Sequence, residues 1–121
     1  MTAQHFDISA EEAGSLYREL HDRHAIFLEP GSLNVRMANP FSGVPTEFRV
    51  RANGKLYFAN CAWDMLGIPA VLEADAVIEA RCAESNEPIR LEVRDGKLSP
   101  GGLKIHFPLP FARWYEDLAF T

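Results

Sequence analysis

Glu47-Phe48-Arg49-Val50-Arg51-Ala52-Asn53-Gly54-Lys55-Leu56-Tyr57-Phe58 is the stretch on which the fold turns. A period-two alternation runs into Asn53-Gly54 and out again. This is the signature of a tight hairpin, because a type I′ turn needs positive φ at both central residues and Asn-Gly supplies it at low cost. Downstream the alternation returns. Ala76, Ile78, Ala80 and Cys82 oppose Val77, Glu79 and Arg81 in a strand over 76–82, and Ile89, Leu91 and Val93 alternate with charged residues over 88–94 before an Asp95-Gly96 turn. Leu103, Ile105 and Phe107 predict one more strand, stopped by Pro108 and Pro110, and Ala112–Leu118 predicts a short helix or turn. The expected class is α+β: a mostly antiparallel β-sheet with short flanking helices and an N-terminal helix plus hairpin.

Upstream of the hairpin, Ser9 reads as an N-cap, with Glu12 closing a capping box and Ile8 placed to staple onto Ala13. Ala13, Leu16, Tyr17 and Leu20 then form the stripe of an amphipathic helix running to about His24. Ile26–Leu28 and Leu33–Met37, either side of Glu29-Pro30-Gly31-Ser32, read as two short strands about a turn. Asn39–Pro45 holds two prolines and a glycine and is expected to be an irregular connection. The chain therefore divides into an appendage over 1–38, with a packing or dimer role, and a body over 39–121.

Composition excludes several classes. The 121 residues fit one unit and cannot hold a barrel of eight βα repeats, whereas 47% hydrophobic residues, eight of them Phe, suffice for a core. A net charge of −5 is opposite in sign to a nucleic-acid or anionic-membrane footprint, so neither is an expected partner. The N-terminus shows no basic region followed by an apolar one, and no apolar run approaches the roughly 18 residues of a membrane span. The expected location is cytoplasmic. Two cysteines, Cys61 and Cys82, are too few for a disulfide framework and read as free thiols in a reducing compartment.

Chemistry concentrates at Cys61. It follows a strand and opens a short helix expected to be capped by Asn60 and interrupted by Gly67 and Pro69, where unpaired N–H groups would favour a thiolate and lower the thiol pKa. Asp64, three residues on, shares its face, so thiol and carboxyl can exchange a proton. Trp63 and Met65 flank the pair and would raise the carboxyl pKa by keeping the site apolar. Buried cysteine is also an ordinary small core residue, and a first-turn aspartate an ordinary cap. Cys82 is expected on the buried face of its strand, a structural thiol. His5, His21, His24 and His106 lack metal-ligand spacing, and no C-x-x-C, phosphate-loop, H-E-x-x-H or G-x-S-x-G motif occurs.

The run Leu56-Tyr57-Phe58-Ala59-Asn60-Cys61-Ala62-Trp63-Asp64-Met65-Leu66-Gly67-Ile68-Pro69-Ala70 resembles the active-site segment of the organomercurial (alkylmercury) lyases, where an aromatic strand leads into C-A-x-D and an aliphatic-Pro-Ala run. Arg81-Cys82-Ala83 with Pro88-Ile89-Arg90-Leu91, Pro40-Phe41-Ser42 to Thr46, and Trp114 to Thr121 extend the likeness over about residues 33–121. The resemblance implies protonolysis of a carbon–mercury bond. Cys61 would be the first thiol on mercury and Asp64 the proton shuttle beside the metal, with Cys82 the structural cysteine. No cofactor is implied; mercury is substrate and product, and an exogenous thiol can be needed. Implied partners are a small organomercurial and a downstream mercury acceptor, with homodimerisation open. The family's second catalytic cysteine lies just beyond the region matching Phe120-Thr121. The chain is therefore expected either to be truncated before it or to be a variant with half the thiol pair, which captures mercury without efficient turnover. Two other readings stand beside this one: a soft-metal (Hg/Cu) thiol-binding or handling protein without lyase activity, and a structural module with inert thiols.

Overall fold

The computed structural model describes residues 1–116. An unanticipated first turn of helix, α1 (Thr2–Phe6), precedes α2 (Ala10–Asp22). The Ser9 side chain accepts the Glu12 N–H at 3.0 Å, so the N-cap is where the capping-box pattern puts it. His21, near the end of α2, accepts the Leu28 N–H on Nδ1 at 3.2 Å and so ties the helix to the strand that follows.

That strand is β1 (Phe27–Leu28), paired antiparallel with β2 (Val35–Ala38). The segment expected to be an irregular connection contributes β3 (Phe41–Ser42), which adds to β2 in the register Met37↔Ser42 and Ala38↔Phe41. Pro40 does not block this pairing, because it sits in the turn and owes the ladder no N–H. Gly43 is required at the exit. A Cβ built there would lie 2.0 Å from the Val35 carbonyl oxygen, while the Gly43 N–H bonds to the Arg36 carbonyl at 2.9 Å.

β4 (Arg49–Ala52) and β5 (Lys55–Phe58) form the expected hairpin, with Asn53 at φ 51° and Gly54 at φ 70°. After β5 comes α3 (Asp64–Leu72), then β6 (Ala76–Arg81), β7 (Pro88–Arg94) and β8 (Lys97–Ser99). The second sheet is antiparallel throughout, in the order β5-β4-β6-β7-β8. The architecture is α+β. No helix among the described residues is long and apolar enough to cross a membrane.

The alternation read from the sequence sets which face is dry. Val50 and Ala52 on β4, Ala76, Ile78 and Ala80 on β6, and Leu91 on β7 are buried, and α3 lays Met65, Ile68 and Pro69 over them. Val50, Ile68 and Ile78 are wholly out of water, each contributing about 1.5–3 kcal/mol of burial. This packing explains why α3 continues through Gly67 and Pro69, which were expected to interrupt it. Pro69 removes one helical hydrogen bond, but its ring is buried, and Gly67 lets Pro40 approach so closely that a Cβ would stand 3.1 Å from the proline Cβ. Two other expectations change. The strand 76–82 ends at Arg81, leaving Cys82 in the turn. Leu103–Phe107 is not a strand, because Lys97–Ser99 already takes the edge of β7 and Pro100-Gly101-Gly102 then turns the chain away. The short helix or turn expected over 112–118 is a 3₁₀ helix over Phe111–Glu116, and residues 117 and 118 lie outside the described residues.

Ile68→Ala should lower stability by about 2–5 kcal/mol, since it empties a site closed on every side; a urea midpoint that falls with unchanged slope is the expected result. Gly43→Ala should open the β2–β3 pairing, read as lost amide-exchange protection over 35–43 while β6 and β7 keep theirs.

Candidate active site at the exit of β5

Ala59, the residue after β5, is completely buried and held on three sides. Its N–H bonds to the Phe48 carbonyl at 2.9 Å, its carbonyl accepts the Thr46 hydroxyl at 2.6 Å, and it bridges antiparallel to Phe41 of β3. The chain leaves this anchor as Asn60-Cys61-Ala62-Trp63 and enters α3 at Asp64.

Asn60 does not cap the helix as expected. Its amide nitrogen donates to Asn39 Oδ1 at 3.0 Å and to Asp64 Oδ2 at 3.1 Å, whereas its own Oδ1 is buried with no hydrogen-bond partner among the described residues. An orphaned acceptor of this kind costs about 1–3 kcal/mol. Cys61 lies on the turn before α3, and its carbonyl accepts the Met65 N–H at 3.1 Å.

The structure places the Cys61 thiol and the Asp64 carboxyl on the same turn, close enough for each to shift the other's pKa. The thiol is corrected in one respect. Backbone N–H groups of Asp64 and Trp63 do favour the thiolate, as a helix start should, but burial outweighs them and the Asp64 carboxylate adds repulsion, so the Cys61 pKa is raised rather than lowered. Burial also lifts the Asp64 carboxyl above the usual carboxylate range, against the opposing hydrogen bonds from Asn60 and Cys61. Of the two flanking residues expected to dry the site, Met65 is buried in the core, whereas Trp63 is 57% exposed.

Trp63 meets an aromatic group that the sequence did not connect to it. Its ring lies 6.4 Å from Phe107, Phe107 stacks on Trp114 at 5.4 Å, and Phe111 meets Trp114 edge-on at 5.0 Å. Thr46, Asn39 and this cluster were not singled out as site residues, because each reaches the site through a contact far apart in sequence.

Cys82 forms no disulfide with Cys61, and its side chain is partly exposed rather than buried beside Ile78 and Ala80. It opens the β6–β7 turn, where its N–H bonds to the Glu87 carbonyl at 2.9 Å and its carbonyl accepts the Asn86 N–H at 2.8 Å. The Ser85 hydroxyl, then the N–H groups of Ser85 and Glu84, hold its thiol pKa below the ordinary value. Both thiols are free. Among the described residues no group of three or more His, Cys, Asp or Glu side chains could hold a metal ion, so the site offers a thiol–carboxyl pair rather than a metal cage.

Comparison with known proteins gives this geometry a context. Residues 41–120 match the family model described as alkylmercury lyase. Over 50 residues the chain is 40% identical to an alkylmercury lyase of Bacillus cereus and, equally, to one of Clostridium butyricum; the match takes in 41% of this chain and 23% of each relative. The chain is also similar to the crystal structure of the mercury-bound form of MerB2, with a TM-score of 0.66 and 32% identity over 81% of this chain and 47% of that one. Matched regions thus span less than half the length of each of these proteins.

The opposite shifts of the two thiols order their reactivity. A raised pKa leaves less thiolate near neutrality and a lowered one more. Iodoacetamide at about pH 7.5 should therefore label Cys82 ahead of Cys61, with the gap closing as pH rises toward about 9.5. Peptide mass spectrometry checks the order, and Cys61 labelling first would contradict it.

Proposed function

The chain belongs to the alkylmercury lyase family, and from that premise we propose that it cleaves the carbon–mercury bond of organomercurials by protonolysis, releasing a hydrocarbon and Hg(II). The observation that carries this reading is the contact between the Cys61 thiol and a carboxyl, Asp64, whose proton affinity burial has raised. A soft electrophile that prefers sulfur needs a thiolate, and a leaving carbanion needs a proton at the same place. One thiol–carboxyl pair supplies both.

In the first step a sulfur–mercury bond forms between Cys61 and R–Hg⁺, and the thiol proton passes to the Asp64 carboxylate. In the second, a thiolate from solution adds to mercury and weakens the carbon–mercury bond. That bond breaks as the carbon takes the proton from Asp64, giving R–H, a carboxylate, and Hg(II) held by two sulfurs. No electron leaves or enters, so no redox cofactor is called for. A further thiol acceptor then removes the ion. The raised pKa of Asp64 suits both halves, since the group is a better base than an ordinary carboxylate in the first step and a carried acid in the second. The mercury-bound state of the similar MerB2 structure supports mercury as the element handled.

A second reading, soft-metal capture without bond cleavage, is favoured by Cys82. That thiol is engaged at its own turn, so the second sulfur must come from elsewhere.

Methylmercury with excess thiol separates the two readings. The lyase reading expects methane in the headspace. It also expects Cys61→Ser to abolish capture and release, and Asp64→Asn to keep capture while release falls about 10²–10⁴-fold. Mercury bound at Cys61 with no methane would leave capture alone.

A further inference from the structure

Resting on the lyase reading, we propose that Asn60, oriented by Asn39, is a positioning residue for the proton-carrying carboxyl of Asp64. Through this pair of amides the N-terminal three-stranded sheet becomes part of the machinery. A primary amide has two N–H donors on one side and one oxygen on the other. At Asn60 the nitrogen faces two oxygens, Asn39 Oδ1 at 3.0 Å and Asp64 Oδ2 at 3.1 Å. Turned over, the side chain would set its oxygen against both acceptors and bury its N–H groups where the present oxygen finds no partner. Only one orientation satisfies the neighbours. The unpaired buried oxygen is the cost of keeping both donors on these two oxygens.

The consequence falls on Asp64. With Oδ2 held by Asn60, the carboxyl cannot spin freely about its terminal torsion, and its orientation beside Cys61 is kept. A neutral donor suits a group that must both take and return a proton, because it orients the carboxylate without the formal charge of a lysine or arginine, which would hold it ionised. Asn39 completes the relay from the three-stranded sheet. It lies between β2 and β3, and two residues later Phe41 bridges Ala59, so the same short segment grips both the backbone before Asn60 and its side chain.

The test uses the full chain with methylmercury and excess thiol, reading Cys61 mercuration by mass spectrometry, methane release by gas chromatography, and thermal melting for integrity. Asn60→Leu keeps nearly the same shape and removes the donors. It should leave capture within about twofold and lower the release rate about 10–100-fold. Asn39→Ala should lower release less, and the double variant should be no worse than Asn60→Leu alone, because both act through one hydrogen bond to Asp64. In an Asp64→Asn background Asn60→Leu should cost nothing further. Unchanged release in Asn60→Leu, an equal fall in capture and release, or additive losses would overturn the proposal and leave the lyase reading intact. Absence of methane from the parent chain would remove the lyase reading and this proposal with it. If Asn60→Leu loses its cooperative melt, Asn39→Ala decides alone: a selective fall in release supports the proposal, and unchanged release overturns it.

Discussion

The position of one small residue governs everything that follows it in the chain. Ala59 is fully buried, and its two backbone hydrogen bonds and its bridge to Phe41 leave it no freedom. Strand β5 ends there, the two sheets meet there, and the next residues carry all the polar chemistry of the site. A larger side chain would have to displace either Phe41 or the core face of the second sheet. The anchor also explains a division of labour. Short-range constraints, namely the Asn53-Gly54 turn and the alternation of β4, deliver the chain to Ala59, while long-range ones from Thr46 and Phe41 decide in which direction it departs.

The thiol–carboxyl pair works by opposition. Burial presses both Cys61 and Asp64 toward their neutral forms, yet each is also offered donors that favour the charged one: backbone N–H groups at the sulfur, the Asn60 amide at the carboxyl. Neither influence removes the other. The outcome is a site in which a thiol and a neighbouring carboxyl both hold their protons more tightly than usual. Cys82 shows the contrasting arrangement. Solvent reaches it, a serine hydroxyl and two N–H groups surround it, and its thiolate is favoured without any carboxyl to receive the proton.

Much of this was legible in the residue order. The hairpin, the N-cap at Ser9 and the buried faces of β4, β6 and β7 follow from periods of two and from turn chemistry, which are local properties. Cys61 and Asp64 were found by spacing within one turn. What was not legible depended on distance in the chain. Asn60 looked like a cap because Ser, Asp and Asn usually cap, but its partner Asn39 is 21 residues away and nothing local announces it. The low thiol pKa expected from the helix start failed because burial is a tertiary quantity. Gly67 and Pro69 read as breakers because propensity ignores what they touch, here Pro40 and the core. Cys82 read as core because alternation was extended one residue past the end of its strand.

The helix that bears Asp64 carries a final implication for how the molecule comes into being. α3 has nine residues, a glycine and a proline within it, and no side-chain cap, whereas an isolated helix in water needs about 12–15 favourable residues to hold itself. Its order is therefore borrowed from the sheet beneath it. Along a folding route the sheet must assemble first, by pairing β4 with a strand some 25 residues away, and the turn with Cys61 and Asp64 acquires its geometry only as the helix docks. The site is thus no pre-formed local motif that the fold happens to carry. It is a late product of folding, and its lifetime is that of the core itself.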